Sequence, residues 1–205
     1  MRVADKLKED GWLKTQNIIN AFASIKRIDF LPSEAKGFAE IDEPLPIGYK
    51  QTNSQPLVVA FMLELLQPEP GQKILDIGCG SGWTTALLSY IVSQENNQGK
   101  VIGIEVIPEL ADFAANNLAK YDFIVNNVAE IICGNGVDGY NKEAPYDRIL
   151  VSASAKQIHD QWKRELKTGG RIVASVGTSI WVLEKESEKD FRIEKHPGFL
   201  FVPLV

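Results

Sequence analysis

The stretch Lys73-Ile74-Leu75-Asp76-Ile77-Gly78-Cys79-Gly80-Ser81-Gly82 limits what this chain can fold into more than any other. A short apolar run bounded by glycines reads as a buried parallel strand. The glycines make a tight turn, and a helical pattern from Trp83 to Val92 follows at once. Strand, glycine turn and helix in this order bring backbone N–H groups to a ligand at a helix N-terminus.

The segments after the turn alternate regularly. Lys100 to Glu105 reads as a strand, Pro108 to Lys120 as a helix and Val128 to Cys133 as a third strand. Tyr146 to Ser152 is a fourth strand, Gln157 to Leu166 a helix closed by Gly169-Gly170, and Arg171 to Val176 a fifth strand. Ile180 to Glu186 and Phe191 to His196 alternate as a hairpin, and Phe199 to Leu204 is a last extended piece. This predicts a doubly wound, mostly parallel α/β sheet with an antiparallel C-terminal edge. Residues 1–36 form a helical lead-in, with Thr15 as N-cap of a helix from Gln16 to Ser24. Residues 37–56 are non-periodic and carry three prolines and two glycines, which predicts a long loop with a job. Ser54-Gln55-Pro56 reads as the start of a buried helix running to Leu66. One domain of 205 residues is expected, with 1–56 as lead-in and loop and 57–205 as the α/β core.

The glycine spacing bears on the ligand. A dinucleotide fingerprint places its third glycine at position 83, which is Trp83. Gly78-x-Gly80-x-Gly82 instead suits a ligand without pyrophosphate, such as S-adenosylmethionine, laid along Cys79 and Ser81. Asp76 either stabilises the turn or faces the ligand's ammonium. Glu105, ending the second strand, is placed to accept both ribose hydroxyls. Its other reading is an acid favoured by the dipole of the helix at Pro108, and the glycine turn upstream favours the ribose role. Asn135-Gly136 follows the third strand, where the amide can read an adenine edge or simply make a turn.

Residues Pro44-Leu45-Pro46-Ile47-Gly48 and Gln51-Thr52-Asn53-Ser54-Gln55-Pro56 resemble the protein-L-isoaspartate O-methyltransferase family, whose pattern here is P-L-P-I-G-x-G-Q-T-I-S-Q-P. The glycine turn, Ala144-Pro145-Tyr146-Asp147, Leu166 to Arg171 and Phe201-Val202-Pro203-Leu204 also match. The resemblance implies a Rossmann-like methyltransferase fold with S-adenosyl-L-methionine as cofactor. It implies methyl transfer to the free carboxylate of L-isoaspartyl residues in damaged proteins, followed by collapse through a succinimide. Ser54 matches the family's active-site serine, with a helix cap as its alternative role, and Thr52 and Asn53 are expected on the cofactor side. The chain departs from the pattern at Lys50 for glycine, Asn53 for isoleucine and Asn135 for aspartate. The sequence ends at Val205, which implies that tail residues covering the site in longer members are missing. These departures keep two alternatives open: a same-fold methyltransferase for a small molecule, RNA or specialised peptide, and a non-catalytic relative that binds cofactor or isoaspartyl protein.

Composition restricts the setting. Net charge is −5 with the acidic residues scattered, which argues against a nucleic-acid partner. Two distant cysteines, Cys79 and Cys133, no apolar leader and no membrane-length apolar run predict a cytoplasmic protein without metal, expected to be a monomer. His159 is expected in solvent and His196 without a partner, and Lys185 to Lys189 is expected as a solvated turn.

Overall fold

A computed structural model describes residues 2–94 and 99–204. Helices α1 (Val3–Glu9) and α2 (Gln16–Ser24) open the chain, followed by 3-10 turns at Arg27–Phe30 and Ser33–Phe38. A hairpin of β1 (Leu45–Gly48) and β2 (Gln51–Asn53) leads into α3 (Pro56–Leu66). The core then runs β3 (Lys73–Ile77), α4 (Trp83–Val92), β4 (Lys100–Glu105), α5 (Pro108–Ala119), β5 (Ala129–Cys133), β6 (Tyr146–Ala155), α6 (Asp160–Glu165), β7 (Leu166–Val176), β8 (Ser179–Lys185) and β9 (Phe191–Pro197).

The main sheet has the order β5-β4-β3-β6-β7-β8-β9. Its first five strands pair in parallel, and β8 and β9 close it antiparallel. This is the expected doubly wound sheet with an antiparallel edge. The chain leaves β3 in one direction for β4 and β5 and later returns to its other side with β6. That reversal opens a crevice at the C-terminal ends of β3 and β6, with the end of β4 beside it, where ligands bind in such sheets.

Both faces of the sheet are covered. On one, Ile74, Val101, Leu150 and Val173 pack against Leu63 of α3 and Leu87 and Ile91 of α4. On the other, Leu75, Ile77, Ile149 and Ile172 pack with Trp162, whose indole N–H donates to Gly136 O at 2.8 Å. Parallel strands buried on both sides need continuous apolar runs, and Lys73–Ile77 and Tyr146–Val151 supply them.

Several local expectations are corrected. Residues 37–56 are not one loop, because Leu45 and Ile47 turn inward while Pro46 and Gly48 face out, which makes β1 half of a hairpin. Thr15 precedes α2 but does not cap it; its backbone N–H and hydroxyl both donate to Glu64. Ser54 does not cap α3 either. Asp42 reaches across from the upstream segment and accepts from Leu57 N at 2.8 Å and from Gln55 Nε2 at 3.2 Å. The helix expected over Gln157–Leu166 is only Asp160–Glu165, and β7 begins at Leu166. Gly170 belongs to that strand: a Cβ there would meet the carbonyls of Lys167 and Asp147 at 2.8 and 2.9 Å. Phe199 to Leu204, expected as an extended piece, pairs with the sheet only through a bridge of Pro203 to Ser154. Lys185 is 2% exposed and donates to Leu166 O, so the charge run is not wholly solvated. His159 packs edge-on against Trp162, and His196 against Phe61.

Candidate active site

The cleft at the crevice has three walls. The glycine turn Gly78–Ser81 and the start of α4 form one, Gln51–Ser54 of the hairpin forms the second, and Val202–Leu204 with Ser152 and Ala153 form the third. Glu105, Gly134 and Gly136 complete its far end. The hairpin leans directly on the turn: a Cβ on Gly80 would lie 3.2 Å from Ile47 Cδ1. The C-terminal segment is held by backbone bonds from Ser154 N to Val202 O and from Leu204 N to Ser154 O. Val205 lies outside the described residues, as does Met1 at the other end.

Gly78, Gly80 and Gly82 all have positive φ, at 73°, 56° and 86°, a region open to glycine at little cost. The turn's N–H groups are mostly used within the protein. Gly78 N and Cys79 N donate to Ile104 O, Gly80 N to Glu105, and Gly82 N to Cys79 O. A pyrophosphate cradle needs such donors free. What this turn offers a ligand is close approach, which agrees with the argument from Trp83 against a dinucleotide.

Asp76 does not line the cleft. It is fully buried under the turn, and its Oδ2 accepts from the hydroxyls of Thr84 and Thr85, both at 2.7 Å. It thereby ties β3 to the first turn of α4. Its Oδ1 makes no hydrogen bond of good geometry, and the Ser152 hydroxyl also steadies its charge. Burial pushes the Asp76 carboxyl up from 3.8 to about 6, against the lowering effect of the Thr85, Thr84 and Ser152 hydroxyls. A carboxylate buried beneath the turn and only partly compensated by hydroxyls fits a cationic ligand and disfavours an anionic one.

The raised value has a consequence for stability. A carboxyl whose pKa rises on folding favours the fold below its unfolded value and loses that advantage as pH rises through the folded value. Above pH 6 the charged Asp76 costs the ligand-free fold about 3 kcal/mol relative to pH below 3.8. Asp76→Asn is therefore expected to raise the melting temperature of the ligand-free protein at pH 7.5 and to leave no such gain at pH 3.5. Thermal melts at the two pH values check this; an equal gain at both removes the titration from the explanation.

Glu105 is 6% exposed and bonds to both neighbours at once. Oε2 accepts from Gly80 N at 2.9 Å, and Oε1 from Ile107 N at 3.0 Å at the start of α5. Each oxygen keeps lone-pair capacity for a hydroxyl. The two readings of this residue are thus compatible: it anchors the helix entry and still faces the cleft. Asn135 is different. It is exposed, and its Oδ1 accepts from Val137 N at 3.0 Å, capping a 3-10 turn at Gly136–Asp138. In this conformation the oxygen expected at an adenine edge serves the local turn, while Gly134 and Gly136 on either side line the cleft. Cys79 lines the cleft, but burial pushes its thiol well above the ordinary value, so it stays protonated and unreactive. Ser54 and Thr52 face the cleft from the hairpin.

Asn53 lines the cleft while bonding to protein at both ends of its amide. Its Oδ1 accepts from Arg27 Nε at 2.8 Å, and its Nδ2 donates to Ser81 Oγ at 3.2 Å. Arg27 carries no sequence signal, since a lone arginine after Ile25-Lys26 looks like any surface charge. Lys50 and Tyr49 sit at the hairpin tip with φ of 60° and 53°. Two positive values in succession are the mark of a tight hairpin turn that favours glycine, which is why lysine at 50 is a departure with a conformational cost.

Comparison with known proteins settles the lineage. The family model described as protein-L-isoaspartate(D-aspartate) O-methyltransferase matches residues 1–205. The chain belongs to this family. A protein-L-isoaspartate O-methyltransferase of Methanopyrus kandleri is 40% identical, the match covering 100% of this chain and 90% of the relative. One of Staphylothermus marinus is 38% identical over 100% and 92%. A structure from Plasmodium falciparum, described as a protein-L-isoaspartate O-methyltransferase in complex with S-adenosyl-L-homocysteine, superposes with a TM-score of 0.88. It is 22% identical and covers 99% of this chain and 96% of its own, so it speaks to the fold. Membership of the family gives the hairpin its meaning. The segment Pro44–Pro56 that carried the resemblance is the wall that folds over the glycine turn.

Proposed function

We infer that the protein transfers a methyl group from S-adenosyl-L-methionine to the free carboxylate of L-isoaspartyl residues in proteins and peptides, initiating repair through a succinimide. Family membership over the whole chain carries the reaction, and the cleft's chemistry agrees with it. When bound, the cofactor supplies an electrophilic methyl group on a cationic sulfur. The turn at Gly78–Gly82 would admit its close approach, Glu105 would accept from the ribose hydroxyls, and the buried Asp76 carboxylate would favour its positive charge.

The acceptor carboxylate is already ionised at neutral pH, so no general base is required. The chain's work is to hold that carboxylate in line and to keep water out. Ser54, on the hairpin wall, orients it as a neutral hydroxyl donor, which leaves the nucleophile its charge. The C-terminal wall of Val202–Leu204 is largely apolar and helps to exclude water. Asn135 acts by shaping the turn between Gly134 and Gly136, and a direct contact to adenine requires its side chain to leave Val137. A monomer in the cytoplasm, acting on protein substrates without nucleic acid, is the matching cellular reading, supported by the scattered negative charge. No described helix is long and apolar enough to cross a membrane.

Paired peptides that differ only in an isoaspartyl or aspartyl link test the reaction. Methyl incorporation is expected into the isoaspartyl member alone, and equal transfer to both, or none with cofactor bound, defeats the assignment. Ser54→Ala is expected to lower kcat/KM about 10- to 100-fold, the worth of one hydrogen bond to a charged group. Its affinity for S-adenosyl-L-homocysteine should stay as in the wild type. A full-rate variant would leave Ser54 no part in orienting the acceptor.

A further inference from the structure

The cofactor turn and the peptide-side hairpin are separate segments, yet one buried polar chain joins them. Arg27 is 5% exposed and makes no ion pair among the described residues. Its donors go to the segment that leads to Ser54: Nη1 to Ile41 O at 2.8 Å, Nη2 to Glu43 O at 2.7 Å and Ser54 O at 3.0 Å, and Nε to Asn53 Oδ1 at 2.8 Å. Asn53 passes the connection on from Nδ2 to Ser81 Oγ, inside the glycine turn. Ser81 O then accepts from Asn117 Nδ2 of α5 at 3.0 Å. All four residues of this chain are buried. Burial of this guanidinium is expensive; Asp42 and Glu40 offset part of the cost from beyond contact distance, and its hydrogen bonds go to backbone carbonyls and one amide.

Asn53 is the junction. An amide accepts on one atom and donates from another, so it satisfies Arg27 and Ser81 together. Isoleucine, the usual residue of the family pattern, does neither and would leave the buried Nε–H without this acceptor. We propose that Asn53, held by Arg27, is a positioning residue that couples the two halves of the site. Cofactor on the turn fixes Ser81, Ser81 fixes Asn53, and Asn53 fixes the hairpin that carries Ser54. The inference rests on the methyltransferase reading for its purpose. The coupling itself is a property of the binding equilibrium, and linkage makes it reciprocal between cofactor and peptide.

Backbone hydrogen exchange of residues 39–54, with and without S-adenosyl-L-homocysteine, measures the coupling without relying on turnover. In the wild type, saturating ligand is expected to slow exchange in this segment about tenfold, the size of a typical coupling between sites. Asn53→Leu and Ser81→Ala, each measured at ligand concentrations that saturate it, should reduce that slowing to less than about twofold, and the double variant should behave as the singles do. A purely structural part would loosen the hairpin equally in both states and leave the ratio unchanged. Ser81→Ala leaves every Arg27 bond in place, so the test survives a poorly folding Asn53→Leu. A wild-type ratio kept by both variants, or a wild type with no slowing, overturns the proposal. Methyl transfer to the isoaspartyl peptide, assayed on the same preparations, separates the two claims. Coupling without transfer counts against the reaction, and transfer without coupling counts against Asn53.

Discussion

Glu105→Ala is expected to weaken S-adenosyl-L-homocysteine binding by at least about 100-fold. Two hydrogen bonds from ribose hydroxyls to one carboxylate are worth about 3 to 4 kcal/mol together, because the acceptor is charged. The loss should not be mistaken for unfolding. Removing the carboxylate also frees Gly80 N and Ile107 N, each at about 1 kcal/mol, so a modest drop in stability accompanies it. Glu105→Gln separates the contributions: it keeps one acceptor and should lose only about tenfold in affinity. Calorimetric titration gives the affinities and a denaturant melt the stability. Wild-type affinity in Glu105→Ala would move the ribose away from this strand end.

Gly82→Ala carries the largest expected effect on the fold, about 3 kcal/mol of destabilisation. Two costs add. The backbone there has φ +86°, where an L side chain is strained by about 1 to 2 kcal/mol. The new methyl would also sit 3.1 Å from Ala114 Cβ and 3.2 Å from Ala114 Cα, so α5 must move, at about 1 to 3 kcal/mol. Gly11→Ala is the control. Its φ is +77° and nothing lies within 4 Å of the added carbon, so it shows the strain alone. Urea unfolding of both variants checks the difference. Equal losses would mean that α5 yields freely and that close packing is not what demands glycine at 82.

The sheet was legible because buried parallel strands leave continuous apolar runs, and Lys73–Ile77 and Lys100–Glu105 fall where the pattern put them. The helix Trp83–Val92 was legible because a glycine turn and an apolar periodic run mark it at both ends. The hairpin at Leu45–Asn53 was not, since strands of four and three residues, the first interrupted by Pro46, carry too little period to read. Lys185 was misread because a lysine among charges looks solvated, and its burial comes from a distant carbonyl at Leu166.

The glycine turn and the Pro44–Pro56 motif, both local in sequence, determined by themselves the α/β class, the cofactor and the family. Only the tertiary structure decided how the two meet. Asp42 caps α3, Asp76 lies beneath the turn instead of in the cleft, and Arg27 reaches Ser54 across 27 positions. Asp76 and Arg27 are buried and Asp42 is half-buried, all with partners outside their own element, and a polar group taken from water must accept whatever partner the fold brings near it. Periodicity and spacing report which face is apolar. They carry no record of which donor meets which acceptor once that face is covered.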